Sequence, residues 1–294
     1  MNNNKNNLTP EYSIGVVTYI SRFEEFFIPL IKQLVSVFPD KEIICIINGH
    51  HDTFFQINYL KRVTAFLSQY PNVRYITHEK HQPLAKCFNW LLLMTFAPRM
   101  LVLNDDVSLN LLFRQDFEKH LQENDLFFVI NRSWCHFLVS KKLVKEIGWF
   151  DERLPGTGYE DGDYHIRMVE KGQPVTRVEC RGLINYVALQ NNPGWATISK
   201  KVSTGRSDKS AVINRDFFYS KYSTDGILKP GMETPLFYDY SCLDNEGNFG
   251  VSKFIYKDAK PPLGRILMLP VYAIYSYTRK IVRIIYRSVK KIFK

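Results

Sequence analysis

Carboxylates crowd two short stretches of this chain. Asn104-Asp105-Asp106 closes the apolar run Met100 to Leu103. The stretch "GWFDERLPGTGYEDGDYHIRM" (Gly148 to Met168) places Asp151, Glu152, Glu160, Asp161 and Asp163 within thirteen positions, among glycines at 156, 158 and 162. Like charges a few ångströms apart repel, so such crowding gains no stability by itself. Two aspartates at the rim of a buried strand need a cation or donors to offset their desolvation. An oxygen-ligated divalent metal at Asp106 would supply that, and a polar turn is the competing reading. In the second stretch, Asp163 stands where a helix starting near Tyr164 would take an N-cap. Asp161, in a glycine-flanked loop just before that helix, is placed to stay ionised and accessible, as a general base must be.

Backbone elements have to carry these groups to one place. "SIGVVTYI" (Ser13 to Ile20) and "EIICIINGHHD" are β-branched apolar runs, expected as buried strands, and "NVRYITH", "RMLVLNDDVSL", "DLFFVIN" and "CHFLVS" add further ones. "EEFFIPLIKQLVSVF", interrupted by Pro29, "NYLKRVTAFLSQY", "LAKCFNWLLLMTFA" and "SKKLVKEIG" predict helices. "DYHIRMVEKG" predicts a short one that Gly172 ends. Strands alternating with helices imply an α/β fold with a mixed, mostly parallel sheet flanked by helices. In such sheets ligands bind beyond the carboxyl ends of the strands, where Asn48-Gly49 and Asn104-Asp105-Asp106 both fall. Residues 183 to 262 read as irregular. There is no P-loop and no G-x-G-x-x-G, which weighs against a kinase or a Rossmann dehydrogenase.

The five cysteines (Cys45, Cys87, Cys135, Cys180, Cys242) are scattered, odd in number and without C-x-x-C spacing, which argues against a disulfide framework or zinc site and for a reducing compartment. His50, His51, His78, His81 and His120 lack metal-ligand spacing; His136, in "SWCHFLV", reads as structural ahead of lining a binding site with Trp134, and His165 reads as packing. The net charge of +10 is concentrated in residues 259 to 294, which hold nine basic residues and no acid, leaving the first 258 at +1. That distribution argues against nucleic acid, because the body lacks a basic face.

Three segments together, "GVVTYISR", "NDD" and "GWFDERLPGTGYEDGDYHIRMVEKG", resemble family 2 glycosyltransferases of the GT-A fold, over roughly residues 12 to 185. In that family a D-x-D-like motif closes the fourth strand and a GxFDExF…EDxDxxxR…G segment follows; here 55 positions separate Asp106 from Asp161. "RDFFYSKY" (Arg215 to Tyr222) is similar to a later aromatic–Lys–aromatic element. The resemblance implies a Rossmann-like nucleotide-diphospho-sugar transferase that moves a sugar, with inversion, from a UDP-sugar to a glycan or lipid-linked glycan of a bacterial surface polysaccharide. It implies that Thr18, Tyr19 and Arg22 hold the nucleotide base and ribose, with Asn48 a further nucleotide contact. Lys86 and Asn89, in "LAKCFNW", would lie beside the donor phosphates. Asn104, Asp105 and Asp106 match the D-x-D positions, with Asp106 the ligand of Mn²⁺ or Mg²⁺. Asp161 matches the base, and Glu160 and Trp134 are placed on the acceptor side. Two departures stand out: Asn104 replaces the first acid, and "LINYVALQNNPGW" (183 to 195) lacks the His that many members carry after the helix. A non-catalytic nucleotide-sugar or glycan-binding protein and a metal-dependent phosphohydrolase are the rival readings.

The expected organisation is a disordered Asn-rich leader (1–11), a catalytic domain (12–232), an irregular extension (233–262) and a tail (263–294). In the tail, basic residues recur at three- and four-residue steps from Arg279 to Lys294, with Ile281, Val282, Ile285, Val289, Ile292 and Phe293 on the other face. A cationic amphipathic C-terminal helix of this kind suits an anionic membrane surface, placing the protein as a peripheral partner at the inner face of a cell membrane.

Overall fold

The computed structural model describes residues 11–49, 53–79, 82–154, 158–185, 208–223 and 226–234. The chain divides into two units, Met1–Phe249 and Gly250–Lys294, and every described residue belongs to the first. The expected tail and nearly all of the leader and of the 233–262 extension lie outside the described residues.

Seven strands form the main sheet: β1 (Ser13–Thr18), β2 (Ile43–Ile47), β3 (Val73–Thr77), β4 (Arg99–Asn104), β6 (Phe127–Ile130), β7 (Ser133–Ser140) and β8 (Thr176–Val178), in the order β3-β2-β1-β4-β7-β6-β8. Pairing is parallel except where β7 meets β4 and β6, so β7 alone runs against the rest. The expected architecture, a mixed, mostly parallel sheet flanked by helices, is the one observed. β5 (Val107–Leu109) leaves the sheet after Asp106 and pairs with β9 (Leu183–Asn185). The run "RMLVLNDDVSL" is therefore two strands broken at the aspartates, not one.

Both faces of the sheet are buried, which is why its strands read as continuous apolar runs. Ile14, Val16, Cys45, Leu101 and Leu103 pack on one side with helices α1 (Ile28–Val37), α2 (Thr53–Leu67) and α4 (Leu111–Glu123). Their sequence neighbours Val17, Ile44, Ile46, Met100 and Val102 pack on the other with α3 (Leu84–Met94), α5 (Lys141–Ile147) and α6 (Glu160–Glu170). Gly15 lets α3 lie flat on β1: a Cβ there would fall 2.7 Å from Leu91 Cδ1 and 2.9 Å from Met100 Sδ.

Pro29 does not interrupt its helix. It sits in the first turn of α1, after a π-turn over Phe23–Phe27, where a missing N–H costs nothing. Helix α6 starts at Glu160, not near Tyr164. It ends as expected, with Gly172 left-handed (φ 66°) and the Gly172 and Gln173 amides donating to the Val169 and Met168 carbonyls. Part of the expected irregular region is helical: α7 spans Asp208–Lys221. Its described buried positions are Asn214, Phe217 and Lys221, a helical spacing in which two of three residues are polar, so hydrophobic periodicity could not reveal it.

Candidate active site

The carboxyl edge of the sheet gathers the end of β1, the end of β2 and the aspartates after β4. Because β7 is antiparallel, it delivers its first residues to that same edge. Val102 pairs with Phe137, so continuing the register brings Cys135 opposite Asn104.

Asp105 is 1% exposed and fully engaged: Thr18 Oγ1 donates to Oδ2 at 2.8 Å and Arg22 Nη1 to Oδ1 at 2.5 Å. Burial raises its pKa, against the pull of Arg22. Asp106 differs. It is completely buried, yet neither carboxylate oxygen has a hydrogen-bond partner; Arg22 Nη1 lies 3.4 Å from Oδ2 as an ion pair. Leaving a buried carboxylate without donors is costly. A cation at this point would offset that cost, so Asp106 fits a metal ligand, although no group of three or more His, Cys, Asp or Glu side chains among the described residues forms a ready cage.

His136, fully buried on β7, supports this corner. Its Nδ1 faces the Asn104 amide at 3.4 Å and its Nε2 the Asn185 side-chain amide at 2.9 Å. Burial pushes its pKa down to about 4, so the ring is neutral near pH 7. Asn185 stands on β9 opposite Val107, in the stretch where the missing histidine was sought. The signal for His136 was its strand position: with β7 reversed, it falls beside Asn104.

Two other expected donor contacts turn inward. Asn48 accepts from the Gly49 and Gln82 amides (2.9 and 2.8 Å) and donates to the Gln82 carbonyl, stapling the loop after β2 to the start of α3. Asn89 does the same for the loop after α5: it accepts from Phe150 N at 3.0 Å and donates to Phe150 O and to Glu152 Oε1 (3.0 and 2.8 Å). Tyr19 is partly buried beside Arg22, and burial raises its hydroxyl pKa. Lys86 is 9% exposed, on α3.

The second acidic stretch divides by role. Glu160 is buried, and Asp161 is half-buried in the first turn of α6, where its Oδ1 accepts from the Gly162 amide at 2.8 Å. Trp134 is half-buried and packs against Phe127 and the His165 ring of α6, with centroids 5.2 and 5.6 Å apart. Cys135 is exposed. Partial desolvation raises its thiol pKa, a hydrogen bond with Ser133 lowers it, and the charges of Asp106, Asp161 and Glu160 raise it. Sequence spacing gave no hint that Cys135 belongs here.

Asp163 does not cap the helix. It is the fourth residue of α6, and its carboxylate takes Arg167 Nε at 2.9 Å, Tyr222 Oη at 2.7 Å and the Lys221 ammonium. Asp151 takes Arg153 in a two-pronged pair (2.9 and 2.8 Å) and Lys221 Nζ at 2.8 Å. Burial would raise the Asp151 pKa, but Arg153 and Lys221 outweigh it and hold the carboxyl well below the usual range. These two acids are structural.

No protein-family model and no curated protein matches the chain. Among solved structures it is similar to S. aureus TarS 1-349, at 14% identity over 72% of this chain and 73% of that one, with a TM-score of 0.46. The same TarS fragment in complex with UDP gives 14% identity, 72% of each chain and 0.45. GalNAc-T7 with UDP, GalNAc and Mn²⁺ gives 10% identity, 58% of this chain and 43% of that one, and 0.47. At 10–14% identity and TM-scores below 0.5, nothing about this chain is drawn from these likenesses.

Proposed function

We propose that the chain is an inverting, metal-dependent glycosyltransferase of the family 2 type, using a UDP-sugar and a glycan or lipid-linked glycan acceptor. The observation that carries this reading is Asp106: a wholly buried carboxylate with both oxygens unpartnered, at the carboxyl edge of an α/β sheet. Asp106 would hold Mn²⁺ or Mg²⁺, which when bound offsets negative charge gathering on a nucleoside diphosphate leaving group. Thr18 and Arg22 fix Asp105 and so set the direction of the strand end. Asp161 accepts the proton of the acceptor hydroxyl as that oxygen bonds to the anomeric carbon, and the sugar–phosphate bond breaks on the opposite face. A carboxylate is too weak a base to ionise an alcohol beforehand, so the proton transfer accompanies the attack. In this reading Asn104, Lys86 and Tyr19 would serve the donor, and Trp134 and Glu160 the acceptor.

The test is a panel of nucleotide-sugars with and without Mn²⁺. Transfer to an added glycan, silenced by EDTA and reduced about 10²- to 10⁴-fold by Asp161→Asn with UDP binding retained, supports the reading. Hydrolysis alone would favour a phosphohydrolase, and binding without turnover a non-catalytic protein. Among the described residues no helix is long and apolar enough to cross a membrane. The basic tail is the proposed membrane contact, at about 1 kcal/mol per charge near an anionic surface. Neutralising Arg283, Arg287, Lys290 and Lys291 together should abolish sedimentation with anionic vesicles; unchanged sedimentation would exclude the tail as anchor.

A further inference from the structure

Helix α7 grips the first turn of α6 on both sides of the Glu160-Asp161 pair. Asn214 Nδ2 donates to the Gly158 carbonyl at 2.8 Å. The Phe218 ring lies 5.3 Å from the Tyr159 ring, and its edge is 3.4 Å from where a Cβ on Gly162 would sit. Lys221 Nζ and Tyr222 Oη both donate to Asp163 Oδ1. The grips fall on 158, 159, 162 and 163, the four residues flanking the pair. Tyr159 is held left-handed (φ 73°, ψ −14°), a conformation unfavourable for a side-chain-bearing residue unless surrounding contacts impose it.

Lys221 is the centre of the grip. It is 0% exposed, and its three N–H donors are spent on Asp151 Oδ2 (2.8 Å), Asp163 Oδ1 and Thr234 Oγ1 (2.7 Å). Arg153, on the Asp151 side, reaches on to the Met232 and Glu233 carbonyls at 3.0 Å, and Arg167, on the Asp163 side, to the Ile147 and Trp149 carbonyls at 2.9 Å. A buried ion network gains little over apolar packing of the same volume; what it adds is direction, because each donor demands one acceptor. This one ties the loop after α5, the first turn of α6, the end of α7 and residues 232–234 to a single ammonium.

We propose that Lys221, with Asn214, is a positioning residue that sets where Asp161 stands, acting through Asp163 and Gly158 rather than touching substrate. This rests on the glycosyltransferase reading for its catalytic half only.

The experiment compares Lys221→Met, Asn214→Ala and Tyr222→Phe in the full chain; the last two leave the ion pairs intact and guard against a Lys221 variant that does not fold. Hydrogen exchange of the 158–163 amides should quicken about tenfold while the sheet stays protected. UDP titrated in the presence of Mn²⁺ should bind within about twofold of wild type, and kcat should fall by up to about 100-fold at unchanged donor KM, as for a misplaced reacting group. Unchanged exchange at 158–163 in Asn214→Ala and Tyr222→Phe overturns the proposal. So does quickened exchange with normal kcat, or a parallel loss of kcat and UDP binding. Exchange is read without substrate, so a wild type that transfers no sugar sinks the glycosyltransferase reading and leaves the grip judged by exchange alone.

Discussion

Asp106 and Asp163 are equally buried, at 0% and 1% exposure, and their surroundings are opposite. Asp163 receives an arginine, a lysine and a tyrosine, and its neighbour in the network, Asp151, receives an arginine and the same lysine. Asp106 receives no hydrogen bond, only the flank of an arginine already committed to Asp105. Folding has satisfied one cluster internally and left the other wanting a positive charge. Acid density along the chain therefore does not mark the site; the state of hydrogen bonding does.

The largest effect should come from breaking the satisfied cluster. Asp163→Asn leaves Lys221 and Arg167 short of a buried countercharge, so a loss of about 3–5 kcal/mol is expected, far beyond the ~1 kcal/mol of a lost helix cap. Denaturant unfolding decides it, and a loss under about 1 kcal/mol would show that the ion network adds little to stability.

Acid should separate the two regions by order of failure. His136 has a folded pKa of about 4 against about 6.5 unfolded, so protons bind the unfolded chain preferentially between those values. Stability at the carboxyl edge should fall by up to about 1.4 kcal/mol per unit as pH drops from 6.5 toward 4. Asp151 has the same sign in a lower window: its carboxyl is held below the usual range, so its contribution is present above the unfolded pKa near 3.9 and lost only as pH falls below it. Exchange protection measured from pH 7 to 4 should weaken at residues 133–137 before the Lys221 network, and the opposite order would contradict this assignment.

The smallest effect on stability belongs to Asp106. Asp106→Asn removes a buried charge that has no donors, so unfolding in metal-free buffer should show no loss of stability, while Mn²⁺-dependent UDP binding is lost. A destabilisation like that of Asp163→Asn would show Asp106 to be structural too.

Much of the frame was legible in order along the chain. Apolar runs of five or six residues had to be strands buried on both faces, and the helices between them forced a mostly parallel sheet. Asn48 and Asn104 to Asp106 had to stand at its carboxyl edge, because a parallel strand can end only there. What the sequence could not settle was direction and partnership. Nothing local says that β7 runs backwards, yet that reversal is what brings Cys135 and His136 to Asn104. Nor does local pattern show α7, whose buried face is largely polar, or that a lysine 58 positions after Asp163 neutralises it. Periodicity reports burial of apolar groups, and a buried ion network has no period. Which carboxylates are answered and which remain open is decided when distant segments meet, and so belongs to the tertiary structure alone.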